Sequence, residues 1–186
     1  MLRYGWIVGI ALIGASAPAL AYPDACQALL PRSLSDALAR AYPGYRSPLA
    51  TDNAPEDIAY NRAHGGTGCL GVGTGDFDGE GKKDFVVGLT ARKGSAGLVV
   101  IALPRKGGWH FQRIQSGSEA ARFRQYVDVA NPGRFDRTLA ATRPLEPGER
   151  SSLDCPNQAV MAGTVEAGAI AYCYKDGRWL HVVVSD

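Results

Sequence analysis

The chain of 186 residues lacks a long apolar run, a strong net charge and most of the motifs that carry chemistry. Its longest apolar stretch, from about Trp6 to Ala17, is short of the roughly 20 residues that a membrane-spanning helix needs. Lys and Arg total 20 against 18 Asp and Glu. That balance argues against a nucleic acid or another polyanion as partner. One local basic group, Arg113, Arg122 and Arg124, reads as ordinary surface arginines. The three histidines, His64, His110 and His181, do not stand at His-Glu-x-x-His spacing. His110 and His181 each lie close behind a Trp on an expected strand and read as half-buried strand residues. His64 can be paired on paper with Asp57 and a serine as a hydrolase triad, but the chain has no Gly-x-Ser-x-Gly elbow. Gly71-Val72-Gly73-Thr74-Gly75 lacks the Lys-Ser/Thr of a P-loop and precedes a strand, not a helix. No catalytic residue is named by this sequence, and the reading is not an enzyme.

Arg3, the apolar run, Pro18 and the small-residue segment Ala19-Leu20-Ala21 form the pattern of a secretory signal peptide over residues 1–21. Cleavage after Ala21 leaves Tyr22 first and a single domain over 22–186, which is periplasmic or secreted and has no stable membrane span. Pro23-Asp24-Ala25 before Cys26 lacks the small apolar residues of a lipid-modified cysteine. All four cysteines, Cys26, Cys69, Cys155 and Cys173, lie beyond the cleavage point, and no Cys-x-x-Cys occurs. An even number in an exported chain reads as disulfides. Four cysteines allow three pairings. Cys26–Cys69 with Cys155–Cys173 is the preferred set, because each pair then lies within one half of the chain.

The strongest chemical signal is Gly75-Asp76-Phe77-Asp78-Gly79-Glu80-Gly81-Lys82-Lys83-Asp84-Phe85. Asp76, Asp78, Glu80 and Asp84 occupy loop positions 1, 3, 5 and 9, and Lys82 at position 7 can offer its backbone carbonyl. This spacing suits Ca²⁺, which takes six to eight oxygens at about 2.3–2.6 Å. Gly79 and Gly81 allow the positive φ that so sharp a turn needs. Without a cation, four clustered carboxylates repel one another and raise some of their pKa values. The competing reading is a solvated acidic hairpin turn. An EF-hand is excluded, since position 12 is Val87 where that motif has a bidentate Glu.

Residues 75–79, Gly81, Lys82 and Asp84 make this segment resemble the Asp-x-Asp-Gly-x-Gly-x-x-Asp calcium loops of FG-GAP/VCBS-type repeats in integrin-like β-propellers. The departure is Glu80, where that family usually has Asp or Asn. A propeller needs about four or more such blades, and the chain has one loop. The wider layout resembles small exported bacterial proteins that carry a single loop of this kind. Pro43-Gly44-Tyr45-Arg46, Gly65-Gly66…Cys69 and the closing Asp176-Gly177-x-Trp179…Ser185-Asp186 carry that likeness. The resemblance implies one structural Ca²⁺ and no defined activity.

The rest of the chain predicts an α+β fold: an antiparallel β-sheet meander with one or two short N-terminal helices, braced by disulfides. Residues 33–42 read as an amphipathic helix capped by Ser33 or Ser35, with Leu34, Leu38 and Tyr42 on one face. A second helix starts at Pro55 and ends at Gly65-Gly66. Expected strands are 69–75, 84–91, 97–104, 108–115, 123–129, 158–165, 168–174 and 178–185. The run Leu98–Leu103 reads as a central strand buried on both faces. Residues 131–157 contain four prolines and read as a long surface loop. Ile101–Trp109 and Ala171–Trp179 echo each other as strand, Lys, Gly turn and Trp. The expected role is to bind an unknown protein or cell-envelope partner. The alternative is an extracytoplasmic inhibitor or immunity protein acting on a hydrolase.

Overall fold

Alternation of side chains along one strand sets the layering. In a computed structural model, which describes residues 24–94, 96–117 and 125–185, strand β4 (Gly97–Arg105) is buried along nearly its whole length. Leu98, Val100 and Ala102 enter one core cluster, and Val99, Ile101 and Leu103 enter another. A strand with an apolar residue at every position must be covered on both sides, because successive side chains point to opposite faces.

The first sheet places β4 between β3 (Asp84–Ala91) and β5 (Gly108–Gly117), all antiparallel. The free edge of β3 is lined first by β2 (Val72–Gly75) and then by the two-residue β1 (Tyr45–Arg46). Helices cover one face of this sheet. They are α1 (Ala25–Leu29) and α2 (Arg32–Ala41), whose Cys26, Leu34 and Leu38 pack, with Leu30 from the link between them, against Phe85, Val87 and Leu89. Ser33 and Ser35 lie inside α2 and neither caps it; Pro31 takes the N-cap position, and its carbonyl accepts from the N–H groups of Leu34 and Ser35. Anchoring of Leu34 and Leu38 in the core fixes where this helix starts, which local capping preference alone does not. A short 3₁₀ turn (Ala50–Asp52) leads to α3 (Pro55–Ala63), which has Pro55 in its first turn and stops at His64 and Gly65 as expected.

The second sheet has the order β11-β10-β9-β6, from β6 (Gln125–Ala130), β9 (Ala159–Thr164), β10 (Ala169–Lys175) and β11 (Arg178–Ser185). Its Val127, Val160, Ala162 and Tyr172 meet Val86, Val99 and Ile101 of the first sheet. Residues 70 and 71 link the two sheets: the Leu70 carbonyl accepts from the Val127 N–H, and the Gly71 carbonyl from the Gly88 N–H. The echoing hairpins sit one in each sheet. Their turns differ, since Asp176 and Gly177 both have positive φ, whereas in the other turn Gly107 does and Lys106 does not.

The long loop expected over 131–157 is corrected by the structure. Two strands, β7 (Gly133–Asp136) and β8 (Ser152–Cys155), pair antiparallel inside it. Leu153 and Cys155 pack on the outer face of the second sheet with Ala171, Leu180 and Val182. Between β7 and β8 the chain runs along the open edge of β11. The Thr138 N–H donates to the Val183 carbonyl, and Arg150 and Gly148 bond to His181. Covering an edge in this way satisfies backbone groups that would otherwise pair with other chains. The segment is pinned by Glu149, only 1 % exposed, whose carboxylate accepts from Arg137 (2.9 Å), Arg143 (2.7 Å) and the Glu146 N–H (2.9 Å). Burial raises the Glu149 pKa, but the Glu146 N–H, Arg143 and Arg137 outweigh it and hold it at about 2.

The disulfides are Cys26–Cys69 and Cys155–Cys173. The first ties α1 to the segment before β2, and the second ties β8 to β10. The signal-peptide segment, Arg122, Arg124 and the first two residues of the expected strand 123–129 lie outside the described residues.

Glu149→Gln is expected to destabilise the protein by about 2–4 kcal/mol, because it leaves Arg137 and Arg143 with an uncharged partner in a buried setting. A urea titration checks this. A loss under about 0.5 kcal/mol, the size of an ordinary surface change, contradicts it.

Candidate metal centre in the β2–β3 loop

Phe77 positions this loop. It is wholly buried and belongs to the core between the two sheets, so the loop dips inward between Asp76 and Asp78 before turning out again. Burying a phenylalanine side chain contributes about 2–3 kcal/mol. The inward turn brings the Phe77 N–H to Asp84 Oδ2 at 2.8 Å. The outer part of the loop is closed by Asp76, whose two oxygens accept from the N–H groups of Gly79 and Gly81, each at 2.9 Å. Gly79 and Gly81 have φ of 77° and 78°, the left-handed conformation that a side chain strains. The Asp76 N–H is in turn held by Gln158 Oε1 at 2.9 Å, which fastens the loop to the second sheet just before β9.

Oxygens of Asp76, Asp78 and Asp84 lie within 4.8 Å of one another. That spread fits ligands placed about 2.3–2.6 Å from a common centre. Asp84 is fully buried, and its Oδ1 has no hydrogen-bond partner among the described residues. An orphaned carboxylate oxygen is costly in the interior. The same carboxylate converges with those of Asp76 and Asp78, an arrangement whose charge a cation could offset. Burial pushes the Asp84 carboxyl up to about 6 against the pull of the Phe77 N–H, and Asp78, Asp76 and Glu80 add to the rise.

The other two expected ligands stand differently. Glu80 is outside the converging trio; Arg105 and Lys82 hold its carboxylate. Lys82 turns its side chain outward, with Nζ 2.8 Å from Glu80 Oε2. Arg105, the last residue of β4, also binds Asp78 through its second guanidinium nitrogen. Neither Arg105 nor Gln158 is visible as part of the site in sequence, since they come from positions far along the chain. The conspicuous Lys-Gly-Gly turn after Arg105 gave no hint of the first, and the second had no local signal.

A second group, Glu146, Glu149 and His181, also brings ligand-type atoms within 4.8 Å. Its Glu149 oxygens are already taken by Arg137, Arg143 and a backbone N–H, which makes it an ion cluster. His181 is half-buried on β11 as expected, and burial lowers its pKa. His110 is exposed on β5, contrary to expectation, because it lies near the hairpin tip, where it lines an open cleft with Tyr174 and Trp179. His64 is exposed, stacked on Tyr60 with ring centroids 4.0 Å apart, and its Nδ1 lies 2.8 Å from the Tyr60 carbonyl oxygen.

Asp84 gives the metal-free loop a pH signature. Its folded-state pKa of about 6 lies above the ordinary 3.8, so the folded chain holds this proton more tightly than the unfolded one. The contribution to stability is full below about pH 4 and is lost as pH rises through about 6. In EDTA, Asp84→Asn is expected to remove that slope and to raise stability at pH 7 by roughly 2–3 kcal/mol. Denaturant melts at pH 4 and pH 7 test this, and an unchanged slope rejects it. Compared with family models, with curated proteins and with solved structures, the chain matches none.

Proposed function

We propose that this chain is an exported, non-enzymatic domain whose β2–β3 loop holds one structural Ca²⁺ and whose 137–150 segment meets a protein or cell-envelope partner. The observation that carries the cation is Asp84, buried with Oδ1 lacking a donor among the described residues, in a carboxylate that converges with those of Asp76 and Asp78. Oxygen ligands alone favour a hard cation over zinc or copper. The ion's role would be structural. It would neutralise the charge that the buried Asp84 brings inside and lock the loop that carries Phe77 into the core. Export agrees with two disulfides, which persist in oxidising compartments. No helix among the described residues is long and apolar enough to cross a membrane.

The partner surface rests on the segment beside β11. Leu139 is 98 % exposed and Leu145 50 % exposed, and both stand on chain anchored by Glu149. A lone exposed leucine is unremarkable. Two on a segment already pinned in place make a contact whose ordering cost is low.

Ca²⁺ at about 100 times its dissociation constant is expected to raise the melting temperature of the mature protein by about 5–10 °C. Asp76→Ala with Asp84→Ala should abolish the rise. A parent protein that shows no rise, and no metal by mass spectrometry, ends the cation reading. Envelope extract passed over the immobilised protein tests the second half. Retention that Leu139→Asp with Leu145→Asp abolishes supports it, and retention that survives both changes rejects this surface. A retained hydrolase that loses activity on binding would make the protein an inhibitor.

A further inference from the structure

We infer that Arg105 and the cation are alternative occupants of the loop, so that loading the site releases Arg105 from Asp78 and Glu80. The inference rests on the cation reading above and deepens it.

The oxygens of the four carboxylates are unevenly committed. Both oxygens of Asp76 accept from loop N–H groups, and Asp84 keeps Oδ2 on Phe77 and leaves Oδ1 open. The remaining carboxylates, Asp78 and Glu80, are the two that Arg105 grips, one with each terminal nitrogen. A hard cation needs six or more oxygens. The three converging aspartates fall short of that number with one oxygen each, and the same loop also carries the Glu80 carboxylate and the second Asp78 oxygen.

Lys82 holds Glu80 Oε2 and the Glu80 N–H donates to Asp78 Oδ1, while Arg105 holds the other oxygen of each, Glu80 Oε1 and Asp78 Oδ2. A guanidinium and a divalent ion cannot share them without like charges meeting at a few ångströms. The grip of Arg105, together with that of Lys82, accounts for Glu80 standing outside the trio at the correct loop position. Arg105 has somewhere to go. It lines the open cleft between the two hairpin tips, beside His110, Gln112, Tyr174, Arg178 and Trp179. Among the described residues no acidic one lines that cleft, so a released Arg105 would add to a positive surface there. In the metal-free protein the arginine serves as a tethered counter-ion. It partly neutralises the acidic loop and weakens the cation's hold.

The test is Ca²⁺ calorimetry on the mature protein, on Arg105→Gln and on the charge-keeping Arg105→Lys. Arg105→Gln should bind Ca²⁺ about tenfold tighter than the parent, while Arg105→Lys stays within about threefold of it. Equal or weaker binding by Arg105→Gln, with a parent that binds, overturns the inference and leaves the cation reading standing. Absence of binding in all three overturns both. A second measurement needs no variant. On Ca²⁺ loading, water exchange at the Arg105 guanidinium should quicken about tenfold or more, with Arg46, paired to Asp52 elsewhere, as the unchanged control. An Arg105 rate that stays level with that control in a calcium-loaded sample also overturns it.

Discussion

Asp84 enters the interior where loop becomes strand, and the loop around it is arranged in response to that one buried charge. Asp84 pairs with Gly75 at the closed end of the β2–β3 hairpin, so its side chain cannot leave without unpicking the first rungs of the sheet. Phe77 fills the core beside it and donates its N–H to one carboxylate oxygen. The other oxygen has no hydrogen-bond partner among the described residues, and the carboxylates of Asp76 and Asp78 stand beside this one. Burial makes Asp84 harder to ionise, and Asp78, Asp76 and Glu80 add to this. Hairpin geometry and core packing therefore hold like charges together, and a compensating positive charge has to come from elsewhere.

Two kinds of compensation recur in this fold. At Glu149 it is complete: two arginines and a backbone N–H surround a carboxylate that is almost wholly buried, and its pKa falls to about 2. At Asp84 it is incomplete: Arg105 reaches Asp78 and Glu80, and the Asp84 pKa rises to about 6. The first cluster pins a segment along the β11 edge, and the second leaves a charge unmet. That contrast separates an internal ion cluster from a candidate ion-binding loop, although both bring three ligand-type residues together.

The layered architecture makes the site rigid. Helices, first sheet, second sheet and the β7–β8 hairpin stack in that order, each joined to the next by a core cluster. The loop lies where the two sheets meet: Phe77 is in the core they share, and Gln158, from the second sheet's side, holds the Asp76 N–H. A cation bound there would stiffen the junction between the layers as well as the hairpin tip.

Period-two patterning and turn glycines made most of the strands legible in sequence. β3 and β11 match their expected spans, and the doubly buried β4 follows from an unbroken apolar run. The pairing of cysteines within each half also matches. The acidic loop was legible because its acidic residues sit close together in the chain. Short elements escaped. β1 has two residues, α1 has five, and β7 and β8 have four each, too few for a period to emerge. They exist because the sheets offer edges and faces to cover. The amino-acid order alone thus determined the longer strands, the acidic loop and the doubly buried centre, since each is a local pattern. Tertiary structure alone decided that Asp84 is buried with an open oxygen, that Arg105 holds Asp78 and Glu80, and that Glu149 is enclosed by arginines. Those outcomes depend on groups far apart in the chain meeting in space, and no local pattern encodes such a meeting.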